Sequence, residues 1–129
     1  ALLAVGSMVE TALSVRRDLA EQGIACTVIN ARFVKPFDEA LIWKLARDYK
    51  LLVTMEENVE TGGFGQQINA FLQKNHLHIP QEIIALPDQF VEHGDPKQLK
   101  KEFGIDAGAV EARVLMAYRQ LGPAEGSER

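Results

Sequence analysis

The sequence is short of several things on which function often rests. It holds one cysteine, Cys26, in 129 residues, so no disulfide can form within the chain, and this usage fits a reducing compartment. The histidines are three, His76, His78 and His93. The first two stand two residues apart in a connector with no further ligand beside them, too few donors for a metal site. No apolar run approaches the roughly 20 residues that a membrane helix needs, and no charged leader precedes an apolar segment. The net charge of −4 is the wrong sign for a nucleic-acid surface. There is no Gly-x-Ser-x-Gly elbow, no Cys/His pair and no Walker loop, so no nucleophile–base set is visible.

What is present is a regular alternation of apolar runs and amphipathic stretches. With 47% hydrophobic and 25% charged residues the balance is that of one ordinary globular domain. Ala1–Val5 reads as a buried strand, and a chain that opens on a core strand without methionine is expected to be cut from a longer one. Ser7 and Glu10 have the spacing of a capping box. Met8, Ala12, Val15 and Leu19 then form one helical stripe, ended by Gly23. Residues 24–29 read as a second strand, with Cys26 as a small core residue. Asp38 caps a helix carrying Ile42, Leu45, Ala46 and Tyr49. Gln81–Leu86 is a further strand. Asp95-Pro96 opens a short helix with Leu99 and Phe103, and Asp106 opens a last one with Val110, Val114, Ala117, Tyr118 and Leu121. The domain is placed at residues 1–121, with 122–129 as a flexible tail. Apolar strands alternating with helices predict a three-layer α/β/α, doubly wound, mostly parallel sheet of four to five strands. The fifth strand would fall at 31–34 or after Pro87.

The stretch around which this is organised is Val53–Gly65. It begins as a strand, passes through Glu56, Glu57 and Asn58 as an acidic loop, and ends in Gly62-Gly63-Phe64-Gly65 at the start of a helix with Ile68, Phe71 and Leu72. Two carboxylates at a strand's carboxyl end could share acid–base work. Successive strand residues point to opposite faces, however, so the simpler reading has one carboxylate cap a helix end and the other pair across an interface. The glycines could cradle an anion at the helix start. Their order matches no phosphate loop, and three nearby glutamates would repel one, so tight packing of this helix on a neighbour is the preferred use. His93, in a loop after a strand, could point toward a ligand, but a loop histidine that hydrogen-bonds a carbonyl or cap is the default.

Read together, Ala31–Asp38, Val53–Asn58, Gly62–Gly65, Leu86–Gly94 and Gly104-Ile105-Asp106 resemble the carboxyl-terminal domain of the transketolase family. They are similar above all to the branch that makes 1-deoxy-D-xylulose 5-phosphate and CO2 from pyruvate and glyceraldehyde 3-phosphate, an isoprenoid-precursor step. Phe37 stands where leucine is usual, and Glu60-Thr61 where an apolar pair is commoner. The resemblance implies a transferase using thiamine diphosphate and Mg²⁺, in a bacterial cytoplasm or a plastid stroma. It also implies that this chain is the non-catalytic part, inactive alone. The family's metal motif is absent, since the one Gly-Asp is Gly94-Asp95 with no asparagine after it. No catalytic, cofactor or metal residue is therefore assigned here. The implied partners are the other domains of the same polypeptide and the second subunit of a homodimer, with no nucleic acid and no membrane. The expected interdomain and dimer surface is Arg32, Lys35, Pro36, Glu56, Glu57, Asn58, Gly62, Gly63, Phe64, Gly65, Pro87, Asp88 and His93. The alternative from another class is a regulatory module that captures a small anion at the Gly62–Gly65 turn.

Overall fold

Leu2, Leu3 and Ala4 offer water no polar face, and such a strand is stable only when covered on both sides. In the computed structural model, which describes residues 1–31, 37–87 and 100–122, all three are buried in β1 (Leu2–Ala4). β2 (Val28–Asn30) pairs with β1 on one side, β3 (Leu52–Val59) on the other, and β4 (Gln81–Leu86) lies beyond β3. The order β2-β1-β3-β4 is parallel at every pairing. The pleat then sorts the side chains. Leu2, Ala4, Val53 and Met55 face one layer, α1 (Met8–Ala20) and α4 (Ala107–Gln120); Leu3 and Leu52 face the other, α2 (Glu39–Asp48) and α3 (Phe64–Lys74). The expected three-layer α/β fold is what forms. A fifth strand, the 123–129 tail and the Asp95-Pro96 helix start fall outside the described residues.

The helical stripes are the expected ones. Met8, Ala12, Val15 and Leu19 are buried in α1, Ile42 and Leu45 in α2, Phe64, Ile68 and Leu72 in α3, and Val110 and Val114 in α4. Phe71 meets Phe37 edge to face at 5.3 Å beneath α2 and α3. Helix ends differ more from expectation. The run from Ile24 does not begin a strand, because Ile24 N–H turns back to Leu19 C=O (3.0 Å) and closes α1, leaving β2 to start at Val28. α3 closes in the same way, with Leu77 N–H on Leu72 C=O at 2.9 Å. Here His76, at φ +56°, occupies the left-handed position that glycine usually fills. This histidine ends a helix.

Candidate functional site

The chain passes from β1 to β2 on one side and then crosses to β3 on the other, so the β1/β3 gap is the switch point of the sheet. Open α/β sheets place their functional loops at the carboxyl end of such a gap. Val5 N–H bonds Met55 C=O at 2.9 Å and is the last β1 contact. β3 nevertheless runs on to Val59, paired among the described strands with β4, so Glu56, Glu57 and Asn58 are strand and not the loop expected of them. Between the pairs Met55–Ile84 and Val59–Leu86 it spends three residues against one on β4, an irregularity that bends and twists a strand.

Glu56 is fully buried (0% exposed). Its Oε1 accepts from Phe64 N–H at 3.0 Å and its Oε2 from Gly65 N–H at 2.7 Å. Those amides belong to the first turn of α3, where donors have no helical partner and the dipole favours a negative charge. The carboxylate therefore supplies the cap that Gly63, the residue at the N-cap position, has no side chain to supply. Glycine is needed for the approach: a Cβ at Gly63 would lie 2.5 Å from Glu56 Oε1 and 2.7 Å from Val59 O. At Gly65 it would lie 2.7 Å from Thr54 Oγ1 and 2.8 Å from Ile83 Cγ2. Gln81 locks the same corner, donating to Thr54 Oγ1 at 3.1 Å and Gly65 C=O at 2.9 Å while accepting from Asn69 at 3.0 Å. Among the described residues no buried side-chain polar atom is left unpaired.

Glu57, one step along the pleat, points outward with its side chain 40% exposed. Lys100 Nζ lies 3.0 Å from its Oε1, and the Ser7 hydroxyl donates to it as well. Partial burial pushes the Glu57 carboxyl up, but these hydrogen bonds and the Lys100 charge outweigh it and hold the group below the usual carboxylate range. Ser7 makes no side-chain cap to α1. The expected capping box is thus not formed, because a charged acceptor on β3 takes the hydroxyl that would have closed it.

The expected site residues now divide. Glu56, Phe64 and Gly65 are buried within the chain, and Gly63 is half-buried against Glu56, so they act on the domain's own α3 start. Glu57, Asn58 and Gly62 are exposed at the carboxyl edge, and Pro87 is half-buried there after β4. Arg32, Lys35, Pro36, Asp88 and His93 lie outside the described residues. Ser7, Lys100, Thr54 and Gln81 were not anticipated. Ser7 and Lys100 come from other segments, and the capping-box spacing of Ser7 points to its own helix rather than to Glu57; Gln81 and Thr54 look like ordinary strand residues.

The anion-capture reading does not survive this geometry. Two amides that a phosphate would use, those of Phe64 and Gly65, are occupied by Glu56, whose buried negative charge would repel the ligand. The same occupation argues against a diphosphate cofactor at this helix start. Among the described residues no group of three or more His, Cys, Asp or Glu could hold a metal ion. The residues described thus do not fit thiamine diphosphate or Mg²⁺, and no catalytic step is assigned to them. Burial pushes the Cys26 thiol up, a shift that the chain's amino group and Arg16 only partly oppose, in keeping with a packing role. No helix of the described residues is long and apolar enough to cross a membrane.

A family model for the transketolase C-terminal domain matches residues 1–110. The 1-deoxy-D-xylulose-5-phosphate synthase of Lachnoclostridium phytofermentans is 44% identical over 123 residues, covering 95% of this chain and 19% of that protein. That of Synechococcus elongatus is 46% identical over 117 residues, covering 91% and 18%. Among solved structures, a split-gene transketolase described as an inactive β4 tetramer aligns with a TM-score of 0.82 at 32% identity, over 90% of this chain and 38% of that one. A transketolase from Campylobacter jejuni aligns at 0.59 and 23% identity over 89% and 16%, a likeness of fold alone. The chain spans less than a fifth of the length of the synthases it matches.

Proposed function

The chain belongs to the transketolase C-terminal domain family, and from that premise we propose that it is the non-catalytic C-terminal domain of a 1-deoxy-D-xylulose-5-phosphate synthase. The whole enzyme would use thiamine diphosphate and Mg²⁺ to decarboxylate pyruvate and join the remaining two carbons to glyceraldehyde 3-phosphate. Its setting would be a bacterial cytoplasm or, in a plant or alga, the plastid stroma. The observation that carries this reading is the 44% identity along 95% of the chain to a synthase of which that stretch is 19%.

The part left to this chain is packing on the remaining domains and on the second subunit of a homodimer. Its contributors at the carboxyl edge would be the exposed Glu57, Asn58 and Gly62 and the half-buried Pro87, joined by Arg32, Lys35, Pro36, Asp88 and His93. Glu56, Gly63, Phe64 and Gly65 would serve this surface from beneath by fixing its shape. The test has two arms. The chain alone, given thiamine diphosphate, Mg²⁺ and both substrates, should neither turn over nor bind the cofactor at micromolar concentration; either result overturns the reading. Substituted for the matching segment of the Lachnoclostridium synthase, it should support turnover, and an inactive, unassembled chimera counts against it.

A further inference from the structure

Four large apolar side chains are notably exposed among the described residues: Leu13, Trp43, Val59 and Met116. Three of them lie on helices. Val59, 42% exposed, lies on strand backbone that has outrun β1. Hydrogen bonds to β4 and to the start of α3 hold the backbone around it. Glu60 N–H bonds Leu86 C=O at 2.9 Å, Gly63 N–H bonds Glu60 C=O at 3.1 Å, and Gly62 N–H bonds Gln66 Oε1 at 3.0 Å. Glu56 and Glu57 tie down the residues just before it. An apolar side chain on backbone already ordered has little left to lose on docking, which is how preorganised contacts gain affinity.

The neighbouring charge narrows the partner. Glu57 has Lys100, but among the described residues no cation pairs with the exposed Glu60. In the synthases more than four-fifths of the polypeptide lies outside the stretch matched by this chain. Resting on the function proposed above, we infer that the Asn58–Glu60 tip is a specific contact with the catalytic remainder of the longer polypeptide. Val59 enters an apolar recess there, and a cation at the rim answers Glu60. Glu56 is the positioning residue that holds the tip in its docking pose.

The test compares amide hydrogen exchange over residues 58–60 in the chain alone and in the Lachnoclostridium chimera, with turnover measured beside it. Tip amides should exchange at least about tenfold more slowly in the chimera than in the free chain. Val59→Asp should abolish that slowing and lower turnover while the free chain keeps its unfolding midpoint. Glu60→Lys, on an exposed side chain, should do the same and serves if Val59→Asp fails to fold. Glu56→Gln should speed tip exchange in the free chain already, an effect that a role confined to α3 would not produce. A chimera that turns over with unchanged tip exchange, or that is indifferent to Val59→Asp and Glu60→Lys, overturns the inference and leaves the proposed function standing. A wild-type chimera that neither assembles nor turns over overturns both.

Discussion

Two helix starts in this molecule meet one physical need in opposite ways. At α2, Asp38 stands directly before the helix and its exposed carboxylate accepts from Leu41 N–H at 3.1 Å. At α3 the corresponding residue is Gly63, and the acceptor is Glu56, buried on the preceding strand. Water can replace Asp38 if it is lost, because the amide it serves is at the surface. Water cannot replace Glu56 so readily, because the carboxylate and the two amides it serves are buried. A third start shows that the right residue in the right place is not sufficient: Ser7 precedes α1, yet its hydroxyl goes to Glu57. A cap is chosen by whichever acceptor or donor the tertiary structure brings nearest.

The sharpest way to break this comparison is to remove both acceptors in turn. Glu56→Ala leaves two buried amides unpaired and a void beneath the β3 tip, and should cost about 3 kcal/mol. Glu56→Gln retains an acceptor and should cost less than half as much. Urea unfolding with unchanged slope would measure both. A Glu56→Ala loss no greater than a surface cap's would sink the distinction. Gly65→Ala comes next, since its Cβ must displace Thr54 and Ile83 inside the sheet–helix interface; overpacking of this kind costs about 2 kcal/mol. Asp38→Ala should cost about 1 kcal/mol. Thermal midpoints of the three variants should fall in that order.

The same contrast explains what could be read in advance. Core faces were legible because the periodicity that buries Met8, Val15 and Leu19, or Phe64, Ile68 and Leu72, lies within a single element. The parallel sheet followed from strands such as Leu2–Ala4, apolar on both faces. The opposite fates of Glu56 and Glu57 were legible from the pleat. Their partners were not: the helix end to be capped was left unspecified, and Lys100 and Ser7 reach Glu57 from distant segments, Ser7 from a spacing that points to its own helix instead. The acidic stretch looked like a loop because charged residues are rare in buried strands. Glu56 escapes that rule by having its charge balanced by a helix start. The second strand was placed too early because nothing in Ile24–Thr27 tells that Ile24 is needed to close α1.

The smallest effect concerns Glu57, and its sign separates it from a buried cap. Its folded pKa lies below the unfolded value, so the group binds protons less readily when folded. Its contribution is therefore fully present above the unfolded carboxylate value of about 4.3 and drains away as pH falls through the lower folded value. The pair is partly exposed, so screening limits it to roughly 0.5 kcal/mol at low salt, and less at high salt. Lys100→Met removes the cation while keeping much of the side chain's apolar packing. The variant and the parent should differ by that amount at pH 7 and converge as the pH is lowered below 4.3, approximately. The expected record is two urea-midpoint curves that merge on the acid side. Curves that stay parallel down to acid pH would assign the Lys100 effect to packing and leave Glu57 as an unpaired surface carboxylate.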